Sequence, residues 1–234
     1  NIPSTNRVSD EEKMNNIIVD NNKLCDDNLY IYQDIKSVEV LGTSTLNINA
    51  NITDLNIIIR KGASLVVNYF NIIDKLDSKI TITCEDNANV ALNHSFITKD
   101  TYNLSLITDF LGNNAYICEN IHGINDKGTS NITADGYVKN SKNDNELLEN
   151  IRLININGGK GVSIPNMLIS TSKVIANHMV TISSVPNDEI FYLAAKGINY
   201  DDAKALICNG HLTKIITDNK LLIKIKEILK MEVR

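Results

Sequence analysis

The chain has no tryptophan, only 3 prolines and an aromatic content of 5%. Broad aromatic platforms, of the kind that stack sugars, therefore have little to be built from. There is no run of about 18 apolar residues that could span a bilayer. There is no surplus of positive charge: the formal net charge is −5 and the pI about 5.4. That balance argues against a wide nucleic-acid or anionic-membrane surface, because both need clustered Lys and Arg. The 4 cysteines, Cys25, Cys84, Cys118 and Cys208, form no CxxC pair. In a chain of 234 residues, burial can supply stability without disulfides, so they read as free thiols of a reducing compartment. The first residues are polar and include Asp10, Glu11 and Glu12, so no signal-peptide pattern is seen and a cytoplasmic location is expected. Gly158-Gly159-Lys160-Gly161 lacks the Lys-Ser/Thr ending of a phosphate-cradling loop, so ATP binding by this chain is not expected. No carboxylate pair shows hydrolase spacing.

What is present is β pattern. From about Tyr30 to Ser184, β-branched residues dominate and alternate with polar ones, as in Leu46-Asn47-Ile48-Asn49-Ala50 and Ile80-Thr81-Ile82-Thr83. A unit of strand, small-residue corner and strand recurs, with corner alanines at Ala63, Ala88 and Ala115. The residue before each alanine is Gly62, Asn87 or Asn114, types that tolerate left-handed backbone. A repeat of roughly 25 residues predicts stacked coils that share a core, a β-solenoid. A β-sandwich also shows many short strands, and pattern alone leaves both open. After Ser184 the signals turn helical. One helix is predicted from Pro186-Asn187-Asp188 to a stop at Gly197. A second is expected over Tyr200–Asn209, opened by Asn199 and closed by Gly210. A third should span about Asn219 to Val233, with Leu221, Leu222, Ile225, Ile228 and Leu229 on one face. The expected division is an irregular segment over 1–29, a β core over 30–184 and a helical subdomain over 185–234.

At the boundary between strands and helices, four segments follow in order. They are Ile164-Pro165-Asn166-Met167-Leu168-Ile169, Val174 to Ile182 around His178, Ile190-Phe191-Tyr192-Leu193-Ala194-Ala195-Lys196-Gly197-Ile198, and Asp202 to Gly210. Their order and spacing resemble the C-terminal signature of the SufB/SufD family of the SUF iron–sulfur cluster assembly system. The resemblance implies a right-handed parallel β-helix followed by a few helices. It implies a scaffold rather than an enzyme, a dimer that pairs its β-helix with itself or with a SufB-like sibling, and a SufC-like ABC ATPase docked on the C-terminal helices. A cysteine desulfurase system is then an indirect partner and a transient iron–sulfur cluster the cargo. Where the SufB branch carries a cysteine and a glutamate, this chain has Gly159 and Met179, so it looks more SufD-like.

The resemblance makes His178 the cluster-assembly candidate and metal ligand, through an imidazole that suits iron. Alternation sets it on the strand face of Val174, Ala176, Val180 and Ile182, where a core histidine is the plain reading. The resemblance also places the ATPase contact on Ile190, Phe191, Tyr192, Leu193, Ala203, Leu206 and Ile207, whereas Phe191, Tyr192 and Leu193 read by themselves as packing the helix onto the β body. Cys118 and His122, four apart, could share a strand face, although a buried thiol and a surface histidine are the ordinary reading. Cys208 reads as core. The competing function is a polysaccharide-active β-helix or a purely structural solenoid.

Overall fold

The computed structural model describes residues 22–139 and 142–232. They form a parallel β-solenoid of about five turns with three small helices at its C-terminal end. The strands are β1 (Asn22–Leu24), β2 (Asn28–Ile31), β3 (Ser37–Val40), β4 (Thr43–Ile48), β5 (Asp54–Ile59), β6 (Ser64–Cys84), β7 (Asn89–Phe110), β8 (Tyr116–Asp126), β9 (Thr129–Val138), β10 (Asn145–Ile156), β11 (Lys160–Ile169) and β12 (Val174–Ser184). The helices are α1 (Asn187–Ala195), α2 (Tyr200–Thr213) and α3 (Asn219–Glu232). Every strand pairing is parallel, which decides for the solenoid over the sandwich.

Two walls enclose one core. The first wall runs β1, β3, β5, the second half of β6, the second half of β7, β9 and β11. The second wall runs β2, β4, the first half of β6, the first half of β7, β8, β10 and β12. The long strands β6 and β7 bend from one wall to the other, and their pairing shifts register between Ile73 and Lys75. The coils also widen along the chain. Val38 pairs with Asn22, 16 residues earlier, whereas Met167 pairs with Gly136, 31 residues earlier. The repeat of roughly 25 residues thus describes the middle of a series that grows.

The corners form as their residues dictate. Gly62, Asn87 and Asn114 all have φ between 54° and 71°, and Asp144 continues the series at 58°. Each turn then delivers a small residue, Ala63, Ala88 or Ala115, into the core at 1% exposure. In the next coil Asn145 takes that place and accepts the Ala115 amide at 2.9 Å. Side chains pointing inward from the second wall, such as Leu65, Val90, Ile117 and Leu147, stack in a row. Each such side chain contributes on the order of 1.5–3 kcal/mol by leaving water. Strand residues already occur at 22–24 and 28–29, inside the stretch read as irregular, and Leu24 there is a core residue at 1% exposure. Residues 1–21 of that stretch lie outside the described residues.

A second apolar cluster lies outside the second wall. Phe70, Ile97, Ile124 and Ile154, one from each of four coils, meet Ile190, Cys208, Leu212, Ile216, Leu221, Ile225 and Leu229 from the helices. The helices start and stop largely as the sequence predicts. Asn199 caps α2 by accepting the Asp202 amide at 2.9 Å, and Gly197 follows α1 at φ +85°. The exception is Gly210, expected to close α2. The helix runs on to Thr213, because Leu212, two residues later, is fully buried and its carbonyl accepts from Ser95 Oγ.

Candidate functional site

The solenoid ends on an open coil. Among the described residues, no strand pairs with the outer edge of β11 or of β12. Their inward residues, including Met167, Val174 and Val180, are only half-buried, whereas equivalent residues one coil earlier are sealed. The outer surface changes character as well. On β9 the outward side chains are Asn131, Thr133, Asp135 and Tyr137; on β11 the positions in register are Val162, Ile164, Asn166 and Leu168. Val162, Ile164 and Leu168 are 44–59% exposed, as are Ile175 and Met179 on β12. Unpaired strand edges flanked by exposed apolar side chains are what most proteins avoid unless the edge is used.

His178 sits in this open coil. It is exposed, and its strand position is in register with Glu149 on β10, which is in register with Glu119 on β8. Alternation turns this row inward, continuing Val67 and Leu92 of earlier coils. A column that begins apolar therefore becomes acidic and ends on an imidazole. Thr108 from the opposite wall donates to Glu119 at 2.8 Å. Both carboxyl groups are 1% exposed, and Glu149 Oε2 has no protein partner among the described residues. Burial pushes Glu119 up to about 7. Burial, helped by the charges of Glu119 and Asp135, pushes Glu149 up to about 8. Adjacent buried carboxyls disfavour joint ionisation, so this column holds protons near neutral pH.

The expected residues are distributed unevenly. His178 lies on the inward face with Val174 and Val180, yet it is accessible, because among the described residues no further coil covers it. Cys118 and His122 do share a strand face, but four strand residues separate them by about 13 Å, too far for one ion. His122 is not a surface histidine: it is 5% exposed and its Nδ1 donates to the His211 carbonyl at 2.6 Å. Cys84 and Cys208 are buried, and burial raises both thiols, Cys84 to about 12 and Cys208 to about 11. Gly159 has no room for a side chain, since a Cβ there would run into the Asn125 backbone. Met179 is exposed and meets the Arg152 guanidinium through sulfur at 3.7 Å. No group of three metal-ligating side chains occurs among the described residues.

On the helices, Ile190 and Ala203 are buried and Ile207 packs on the outer cluster, so they hold the helices in place. Phe191, Tyr192 and Leu206 are 73%, 64% and 54% exposed. The reading of Phe191 and Tyr192 as packing residues is corrected: α1 is short and Ile190 is its one buried residue, which turns its neighbours outward. Glu119 and Glu149 were not singled out from the sequence. A signal existed, since Glu-Asn-Ile occurs at both 119–121 and 149–151 and alternation sends each Glu inward.

A solenoid with sealed middle coils, one open end and exposed helix faces defines the class, a parallel β-helix whose accessible features are a strand edge and a helical face. The family model described as "SUF system FeS cluster assembly, SufBD core domain" matches residues 50–211, and the chain belongs to that family. No curated protein matches the chain. Membership makes iron–sulfur cluster assembly by the SUF system its sphere of action, as an assembly component. No helix among the described residues is long and apolar enough to cross a membrane.

Proposed function

We propose that this chain is a scaffold subunit that pairs through its open last coil and presents His178 to a nascent iron–sulfur cluster at that junction. The observation that carries the reading is the unpaired pair of edges on β11 and β12, flanked by Val162, Ile164, Leu168, Ile175 and Met179. The partner is a second β-helix subunit, a copy of this chain or a SufB-like sibling, whose strands continue the walls. His178 supplies one ligand. Iron needs several, so the remainder come from the partner and from sulfide. The acidic column behind His178 gives the site a proton reserve.

A SufC-like ATPase docks, in this reading, on the exposed face of α1 and α2 formed by Phe191, Tyr192 and Leu206. Families of this kind work with that ATPase and other SUF components, and closure of paired ATPases would strain the pairing edge. The chain works in the cytoplasm, and the cysteine desulfurase acts on it only indirectly, as sulfur source. The test is co-purification. Phe191→Ala combined with Leu206→Ala should lose the ATPase and keep the β-helix partner. Retention of the ATPase at full stoichiometry would refute the docking face. Deleting the helices is a poorer probe, because it uncovers Phe70, Ile97, Ile124 and Ile154.

A further inference from the structure

We propose that the cavity between strands β8, β10 and β12 and helices α1 and α2 binds a phosphorylated small molecule, whose phosphoryl group is held by Arg152 and Lys214. This inference is independent of the pairing edge and of the ATPase face.

Strand register builds the floor. His122, Arg152 and Thr181 are in register on three adjacent strands and form one row across the outer surface of the second wall. Ser183 lies two residues further along β12, on the same face as Thr181. The end of α2 forms the roof, with His211 and Lys214 over this row. The half-open cleft holds about 380 Å³, more than a bare ion needs and within the range of small-ligand sites.

The polar groups around it are poorly used by the protein. Arg152 carries five N–H donors, yet its recorded side-chain bond is a 3.7 Å contact to the Met179 sulfur, a weak acceptor. Neither Arg152 nor Lys214 forms an ion pair among the described residues. His122 is 5% exposed; its Nδ1 is committed to the His211 carbonyl, and its Nε2 has no protein partner among the described residues. His211 stacks on it with ring centroids 4.4 Å apart and donates from Nε2 to the Arg152 carbonyl at 3.2 Å. Glu189 is the single carboxylate in the lining, against two full positive charges. The start of α1 also borders the cavity at Pro186, and no side chain caps it, so its first-turn N–H groups add partial positive charge.

The electrostatics point the same way. Burial lowers His122, and the Arg152 and Lys214 charges lower it further. Burial, then His122 and Arg152, hold His211 down at about 4. Burial is the larger cause at both imidazoles, and the smaller part that comes from the cationic side chains is what an anion in the cavity relieves. Arg and Lys together favour a phosphoryl group over a carboxylate, since its oxygens satisfy a guanidinium fork and an ammonium at once. Thr181 and Ser183 supply hydroxyls for the rest of the molecule.

The experiment is calorimetry on the full chain with inorganic phosphate and with ribose 5-phosphate, and the same titrations on Arg152→Ala and Lys214→Met. Both side chains lack ion pairs, so the variants should fold, which circular dichroism checks. Saturable binding is expected, weakened about tenfold or more by each substitution. Tighter binding of ribose 5-phosphate assigns the site to an organic phosphate; equal affinity assigns it to the free oxyanion, and both support phosphoryl recognition. As a second readout, the His122 and His211 ring protons should titrate at higher pH when ligand is bound. Absence of saturable binding by both probes up to about 10 mM, or binding unchanged in both variants, overturns the proposal.

Discussion

The coils built on β6 and β7 and the coil that ends in β11 and β12 are written in the same residues: Ile, Val and Leu alternating with Asn, Ser and Thr. In the middle coils, Leu65, Val90 and Ile82 are at most 1% exposed. In the last coil, the inward residues Met167, Val174 and Val180 are only half-buried. The difference lies in the neighbours. A coil in a solenoid is stabilised by the coil on each side, and the last one lacks half of its interface. The same contrast separates the inward rows: Val67 and Leu92 begin the row that Glu119, Glu149 and His178 complete. The apolar middle holds the fold, and the chemistry collects where stacking stops.

The sharpest way to break this comparison is to truncate matched residues. Leu92→Ala in the middle should cost about 2–5 kcal/mol in chemical denaturation, through lost burial and a residual void. Val180→Ala, at an inward position of the last coil, should cost less than about 1 kcal/mol in the isolated chain. Equal costs would mean that the last coil is already sealed.

A second effect, expected at on the order of 1–3 kcal/mol, concerns pH. Glu119 has its folded value raised to about 7 from an ordinary 4.5. Its contribution is therefore fully present below 4.5 and is lost as pH rises through about 7. Glu119→Gln keeps an acceptor for Thr108 and cannot ionise. It should stabilise the chain at pH 8 relative to wild type and leave it unchanged at pH 4, read as melting temperatures. The helical latch behaves oppositely, because His211 is held neutral and loses stability as pH falls below its ordinary 6.5 towards about 4. A smaller effect belongs to the helices alone. Asn199→Ala removes the α2 cap and should cost about 1 kcal/mol by denaturation, without altering the solenoid. The smallest effect on stability is expected at the proposed site itself. His178→Ala, at an exposed position, should shift stability by less than about 0.5 kcal/mol, yet fail to support cluster assembly in a strain lacking the chromosomal copy. Normal complementation would remove His178 from the function.

The repeat was legible because its corners need special backbone: Gly62, Asn87 and Asn114 announce left-handed turns, and Ala63, Ala88 and Ala115 follow into a crowded interior. The growth of the coils was not, since lengthening happens in the strands between corners and the next corner carries Asn145 where the pattern has alanine. Helix starts were legible from Asn199 and the acids after it. The end of α2 was not, because Gly210 is an open surface position and Leu212 beyond it is fixed by tertiary burial. At the site, alternation put His178 on the inward face, but local pattern does not reveal that, among the described residues, helices and not another coil come next. Glu119 and Glu149 were hidden for a related reason. A lone Glu in a strand reads as solvated until the stacking of β8 on β10 shows both inside.

The most direct test of the account is the mass of the chain in solution, alone and mixed with a SufB-like sibling, by size-exclusion chromatography with light scattering. Wild type should elute as a pair, either at twice its 26.0 kDa or as a one-to-one complex with the sibling. The double variant Ile164→Lys, Ile175→Lys should remain folded and run as a monomer in both samples. A pair that survives in the double variant, or a wild type that stays monomeric in both samples, would contradict pairing through the open last coil.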